Sequence, residues 1–365
     1  MTKSSESLIL DTHHTWSEIS QQPHLWPTTL QRVSAAVANL QLSPILSHAR
    51  VLLTGAGTSA YAASAIASAW QRAIAIPSTD LLLDTERYIA DVDVVISIGR
   101  SGNSPESVAS VNRIHKLRPE IAQLAITCNS EGMLAQSPLV RSIVLDPRTN
   151  DKSLAMTSSF SNLVLAGLSL ADKSAVESIV PIACSNARLH FDIINECTSR
   201  LACMVKDRFV LLCSSPLFSW AQEGALKALE MTAGKFSVLA ETYLGLRHGP
   251  MSFVRPNTLI LCLLSNDLLR RRYEQDLIEE LRTKNIGYLV GVGATRDEAS
   301  FFDETIPAVL PVGADILRTP FEIIGPQLLG YHMSLHAGHN PDAPSPDGVI
   351  NRVVQGVKIY EDSGK

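Results

Sequence analysis

Short apolar runs recur along this chain and set its architecture. Val51–Thr54, Asp93–Ile98 and Gln123–Thr127 are each followed by a segment long enough for a helix. Strand–helix alternation of this kind predicts a parallel sheet covered on both faces. The plan then repeats. Arg208–Cys213, Thr258–Leu264 and Ile286–Val292 read as strands, with helices over Ser219–Ala233 and Leu268–Thr283 between them. Matching strands lie about 160 residues apart, which reads as a duplication of one α/β unit. The expected organisation is an N-terminal helical arm over 1–45, with Trp16, Trp26, Leu30, Val33 and Val37 at loose helical spacing, then α/β domains over 46–180 and 195–340. A linker is expected within Ala171–Asn195. The tail, 341–365, is rich in Pro, Asp and Gly before an apolar, strand-like stretch from Val349 to Tyr360.

The turns after the first two runs carry the chemistry. Gly55-Ala56-Gly57-Thr58-Ser59 precedes a helix of small residues, Tyr61–Trp70. Glycines let a backbone pass close to an anion, and a helix N-terminus aims free N–H groups at it. The same letters satisfy the G-x-G-x-x-A dinucleotide fingerprint, with Asp84 as the ribose acid, so this turn alone leaves phosphate and NAD both open. The second turn is Gly99-Arg100-Ser101-Gly102-Asn103-Ser104-Pro105, in which Ser104 and Pro105 read as helix N-cap and first helical residue. Neighbouring strands of a parallel sheet place the two turns side by side. Two helix N-termini with the hydroxyls of Ser59, Ser101 and Ser104 suit one monophosphate, whereas a dinucleotide does not need the second turn. The counterpart turns of the second half, Ser214–Pro216 and Ser265–Asp267, lack glycine. One phosphate site per chain is therefore expected.

Charge narrows the partners. Thirty-one basic against 36 acidic residues give a net charge of −5 with no long basic run, which argues against nucleic acid. Apolar stretches such as Leu163–Ala171 fall short of the roughly 20 residues of a membrane helix. Met1–Glu6 lacks the basic-then-apolar layout of a signal peptide. The cysteines at 128, 184, 197, 203, 213 and 262 are scattered without a C-x-x-C pair and read as reduced, buried thiols of a cytoplasmic protein.

Glu223, Lys227 and Glu230 fall at i, i+4 and i+7 on one predicted helix face. Spacing alone favours a solvated Glu–Lys pair there. Downstream, His248 is held between Arg247 and Gly249-Pro250 in a polar turn, where an imidazole suits proton transfer near neutral pH. His332, His336 and His339 are close in sequence, yet no H-E-x-x-H or carboxylate partner accompanies them. No metal or cofactor is called for.

Together, Gly55–Ser59, Ser97–Ser104, Glu223–Glu230 and Arg247–Pro250 resemble the double SIS (sugar isomerase) architecture of the isomerase half of glucosamine-6-phosphate synthase. Gly99–Ser107, Ala155–Ser159, Leu229–Lys235 and Asn351–Gly356 are more similar to the AgaS-type galactosamine-6-phosphate deaminase/isomerase family, also called tagatose-6-phosphate ketose/aldose isomerases. The likeness runs from about Trp16 to Tyr360. It implies two tandem SIS domains, each a doubly wound, flavodoxin-like parallel sheet, in a homodimer or higher homo-oligomer with shared active sites. The implied reaction opens galactosamine 6-phosphate or glucosamine 6-phosphate, moves a proton between C2 and C1 and releases ammonia and a ketohexose 6-phosphate. Simple aldose–ketose isomerisation and non-catalytic sensing of sugar phosphates are the alternatives. By the same resemblance, Gly57, Thr58, Ser59, Arg100, Ser101, Ser104, Thr157 and Arg352 bind phosphate or substrate. Glu230 moves the C1–C2 proton, with Glu223 and Lys227 beside it, and His248 opens the ring from the neighbouring subunit. Two departures stand out. Gly99-Arg100 replaces a Ser-Gln pair of the synthase, so Arg100 is expected to make up for one phosphate hydroxyl. The synthase's C-terminal lysine has no match, with Arg352 and Gln355 nearest to its place.

Overall fold

The computed structural model describes residues 13–360. Strands β1 (Val51–Thr54), β2 (Ala73–Ala75), β3 (Val94–Gly99), β4 (Ala122–Thr127) and β5 (Arg141–Val144) form one sheet, in the order β2-β1-β3-β4-β5. Strands β6 (Arg208–Cys213), β7 (Ser237–Thr242), β8 (Leu259–Leu263), β9 (Tyr288–Val292) and β10 (Glu304–Ile306) form the other, in the order β7-β6-β8-β9-β10. All pairings are parallel, and Leu52 stands level with Val95 as Val210 does with Ile260. The two orders are the same. β1, β3 and β4 hold the places that β6, β8 and β9 hold in the second sheet, the matching that the sequence offsets predict. Central strands such as β1 and β8 are buried along their whole length, because helices cover both faces of each sheet. These are two tandem SIS-type units.

They do not stand apart. Helix Thr58–Ala69 packs against helix Ser158–Ala171 in its own half and against helix Phe218–Met231 of the other. One apolar cluster runs from Ile66 and Leu163 through Trp220 to Phe321 and Tyr331. The residues expected to form an arm belong to it. Helix His14–Asn39 buries Ile19, Trp26 and Val33 and sets Trp26 edge-on to Phe321, with ring centroids 4.9 Å apart. Gln22 donates to Gln327 Oε1 at 2.8 Å. This helix is a brace between the halves; residues 1–12 of the expected arm lie outside the described residues.

Two further expectations are corrected. The stretch Ala171–Asn195 is not a linker. Lys173–Met204 is one helix, capped by the Asp172 carboxylate on the Ala175 amide at 3.0 Å. Its polar opening resembles a connector, but Val176, Ile179, Val180, Ala183, Ala187, Ile194 and Leu201 recur at helical spacing and bury one face. The Val349–Tyr360 stretch forms no strand, and Val349, at 85% exposure, and Tyr360, at 78%, face outward. Alternation alone does not make a strand where no sheet edge is at hand. Among the described residues no helix is long and apolar enough to cross a membrane.

Candidate active site

β1 and β3 are adjacent, so the turns at their C-terminal ends face the same space, where ligands bind in open α/β sheets. Gly57 has φ 56 and ψ −129, a backbone that a side chain would strain. At Gly55 a Cβ would come within 2.7 Å of the Ser59 Cβ. Both glycines are fixed by the turn that starts helix Thr58–Ala69. Ser104 is the N-cap of helix Pro105–Leu117, as the sequence predicts. Its hydroxyl bonds Glu106 Oε2 at 2.8 Å rather than a helix amide, while Ser101 Oγ accepts from the Asn103 amide at 3.2 Å. The two turns line a cavity of about 350 Å³ that also takes in Glu230 and residues 349–355 of the tail.

Glu230 arrives from the second half on helix Phe218–Met231. The packing of that helix on Thr58–Ala69 brings its polar stripe against the turn Gly55–Ser59. Lys227 and Glu223 are both 0% exposed. Lys227 Nζ lies 2.5 Å from Glu230 Oε2, 3.3 Å from Glu223 Oε1 and 3.1 Å from Thr58 Oγ1, and Thr58 donates in turn to Glu223 Oε1 at 3.3 Å. The spacing-based expectation of a solvated pair is overturned: the ion pair is sealed between the halves. Burial alone lowers the Lys227 pKa, but the two carboxylates together outweigh it and hold the ammonium charged. Burial pushes the Glu223 carboxyl up to about 8 despite the pull of Lys227, and Glu230 adds to the rise. Of the two carboxyl groups that flank the ammonium, only Glu230 opens onto the cavity.

The tail closes the cavity from a third side. Arg100 is buried, which pulls its pKa down. Its guanidinium donates to the carbonyls of Ser153 (3.1 Å), Leu154 (3.0 Å) and Arg352 (2.7 Å). Arg352 answers by donating to the Asp151 carbonyl at 2.9 Å and to Asn150 Oδ1 at 2.7 Å. Both arginines line or border the cavity, yet their hydrogen bonds go to backbone and loop. They act first as a clasp between the β3 turn, the 150–154 loop and the tail.

Comparison with known proteins settles the family. No family model matches the chain. The D-galactosamine-6-phosphate deaminase AgaS of Shewanella sp. (strain ANA-3) is 37% identical over 369 residues, covering 95% of this chain and 91% of that protein. The chain belongs to the AgaS family. Escherichia coli D-galactosamine-6-phosphate deaminase AgaS is 34% identical, with 95% and 96% covered. A crystal structure of tagatose-6-phosphate ketose/aldose isomerase from Escherichia coli superposes with a TM-score of 0.86 at 29% identity, covering 97% of this chain and 98% of that one.

Of the residues marked on the sequence, this AgaS-family fold gathers Gly57, Thr58, Ser59, Arg100, Ser101, Ser104, Glu230 and Arg352 around one cavity, with Lys227 and Glu223 directly behind. Thr157 is not brought to it. That residue is fully buried, its amide donates to Asp151 Oδ2 at 2.9 Å, and its neighbour Met156 lines the cavity instead. His248 is exposed and does not line its own chain's cavity, and Arg247 beside it is tied to Asp276 at 2.8 Å and Glu280 at 2.7 Å. Asp84 pairs with Arg87 at 3.7 Å, away from the cavity. His332 is paired with Asn195 at 2.8 Å, and among the described residues no His/Cys/Asp/Glu group could hold a metal. Five of the six cysteines are buried and all are unpaired; Cys203 is exposed, against the expectation for it.

Two carboxylates escape a motif reading. Asp151 Oδ2 accepts from the amides of Thr157 and Ser159, both at 2.9 Å, and Glu18 holds the amide of Lys152 at 2.5 Å and that of Ser153 at 3.3 Å. Burial raises the pKa of both, and each carboxylate's nearness to the other raises Glu18 further. They shape the 150–157 loop on which Arg100 and Arg352 close. The available signal for Glu18 was its place beside Ile19 on the apolar stripe of the first helix.

Proposed function

We propose that this chain deaminates and isomerises an amino-sugar 6-phosphate, galactosamine 6-phosphate before glucosamine 6-phosphate, giving the ketohexose 6-phosphate and ammonia. The supporting observation is one cavity that unites a serine- and glycine-rich anion cradle with a carboxylate whose ion-pair partner is buried behind it. The phosphate sits on the helix N-termini at Thr58 and Pro105, with Ser59, Ser101 and Ser104 donating to its oxygens. This anchoring places the C1–C2 end of the opened sugar toward Glu230. Glu230 takes the proton from C2 and returns it to C1, so the 2-amino aldose becomes a 2-imino ketose. Water adds to the C2 imine, and the C–N bond breaks to leave ketone and ammonia. Lys227 orients the Glu230 carboxylate, and Glu223 with Thr58 fixes Lys227. Arg100 contributes positive charge to the cavity wall while holding the tail.

His248 supplies the ring-opening proton to the cavity of a second copy, which makes the working unit a homo-oligomer. Unpaired cysteines suit a reducing compartment, and the cytoplasm is the proposed location.

The test measures ammonia and ketose together. Stoichiometric ammonia and tagatose 6-phosphate from galactosamine 6-phosphate are expected. Interconversion of galactose 6-phosphate with tagatose 6-phosphate, with no ammonia from either amino sugar, would support the plain isomerase instead. Turnover of neither class would overturn the proposal.

A further inference from the structure

Because the halves share one strand order, the second half has its own pair of strand-end turns. β6 runs into Ser214–Pro216 and β8 into Ser265–Asp267, in the places where β1 and β3 run into the phosphate turns. These turns meet carboxylates of their own half. Glu274, from helix Leu268–Thr283, reaches back to them. Its Oε2 accepts the Ser265 amide at 2.8 Å, and the nearby Ser214 side chain favours the charged form of the same carboxyl. Asp315 takes the next amide, that of Asn266, at 2.9 Å, and the Ser265 hydroxyl. Glu274 is 0% exposed and its Oε1 has no partner. Positive charge is close by: Arg271 donates to the Ser265 carbonyl at 2.7 Å, and buried Arg318 to Asp315 Oδ1 at 3.1 Å. In the first half no carboxylate meets the turn amides, and the helix after β3 presents the small Ser107 to the cavity.

We propose that the second half holds a latent site for a small oxyanion, plugged by the chain's own Glu274 carboxyl, and that truncating this side chain opens it. A carboxylate and a phosphate offer the same anionic oxygens to the same surroundings, the Ser265 amide of one strand-end turn and the Ser214 side chain of its neighbour. The plug accounts for a single substrate site per chain and leaves the native second half closed to sugar phosphates as effectors. The comparison between halves rests on the reading of the first-half turns as a phosphate cradle.

The experiment compares wild type, Glu274→Ala and Glu274→Gln by thermal melting and calorimetric titration with formate and inorganic phosphate, against chloride at equal ionic strength. Glu274→Ala is expected to gain one anion per chain over wild type, with a saturable rise in Tm of about 2–4 °C or more. Glu274→Gln keeps the plug's shape and is expected to gain nothing. If Glu274→Ala does not fold in plain buffer, refolding with formate or phosphate takes the place of the titration, and recovery of the folded circular-dichroism spectrum only with the anion counts in favour. No gain and no rescue with either anion, or an equal gain by Glu274→Gln, overturns the proposal. Wild type that binds no phosphate refutes the first-half reading instead, because the latent site is scored only by the increment over wild type.

Discussion

Two carboxylates on one helix face differ entirely in what surrounds them. Glu230 opens onto the cavity, whereas Glu223 is sealed behind Lys227, where burial pushes its pKa up to about 8. Glu230→Gln keeps the shape and removes the base, so kcat is expected to fall by about 10²–10⁴ with little change in KM. Exchange of the substrate C2 hydrogen with solvent should stop with it. Glu223→Gln is expected to lose less than about tenfold, because Glu223 holds Lys227 in place and does not line the cavity; loss of exchange in that variant alone would reverse the assignment. The stripe itself was legible in the sequence, since i, i+4, i+7 spacing fixes a common face. Its burial was not. Spacing says which residues share a face and nothing of what covers it, and here the cover is Thr58 and its helix from the other half.

At the scale of elements, the six central strands were the most legible part, because buried parallel strands read as continuous apolar runs, whereas the edge strands β2, β5, β7 and β10, short or only partly buried, left no such run to read. The 173–204 helix was the least legible, since its first turn has a connector's composition and only the longer periodicity reveals it. That helix joins helix Ile324–His336 through Asn195 and His332. Burial pulls the His332 pKa from 6.5 down to about 4. The folded chain therefore refuses a proton that the unfolded chain accepts, so this site's contribution is full above pH 6.5 and is lost as pH falls through about 4. At about 1.4 kcal/mol per pKa unit the loss is roughly 3 kcal/mol. Denaturant unfolding at pH 7 and pH 4.5 should show a smaller acid loss in His332→Gln than in wild type. Equal losses would place the acid sensitivity elsewhere.

For the whole molecule, the candidate cavity belongs to no single half: turns from the first, a helix from the second and the tail each supply a wall. His248 faces outward from this assembly. If a second copy receives it, mixing inactive His248→Ala and Glu230→Gln chains should restore part of the activity, because a hybrid dimer regains one complete site; absence of recovery after verified subunit exchange would argue for self-contained sites. The start of the first helix belongs to the same architecture. The amides of His14 and Thr15 are held at 2.9 and 2.8 Å by the carboxylate of Asp342, which stands 328 residues after His14, and the Asp342 carbonyl accepts the Leu154 amide at 3.0 Å. A ribosome at about 5–20 residues per second delivers that carboxylate well over ten seconds after the helix it caps. Throughout that interval the brace between the halves lacks its N-terminal cap and the two turns at the ends of β1 and β3 lack their tail. The third wall of the cavity therefore closes only after both sheets and the helices between them have left the ribosome.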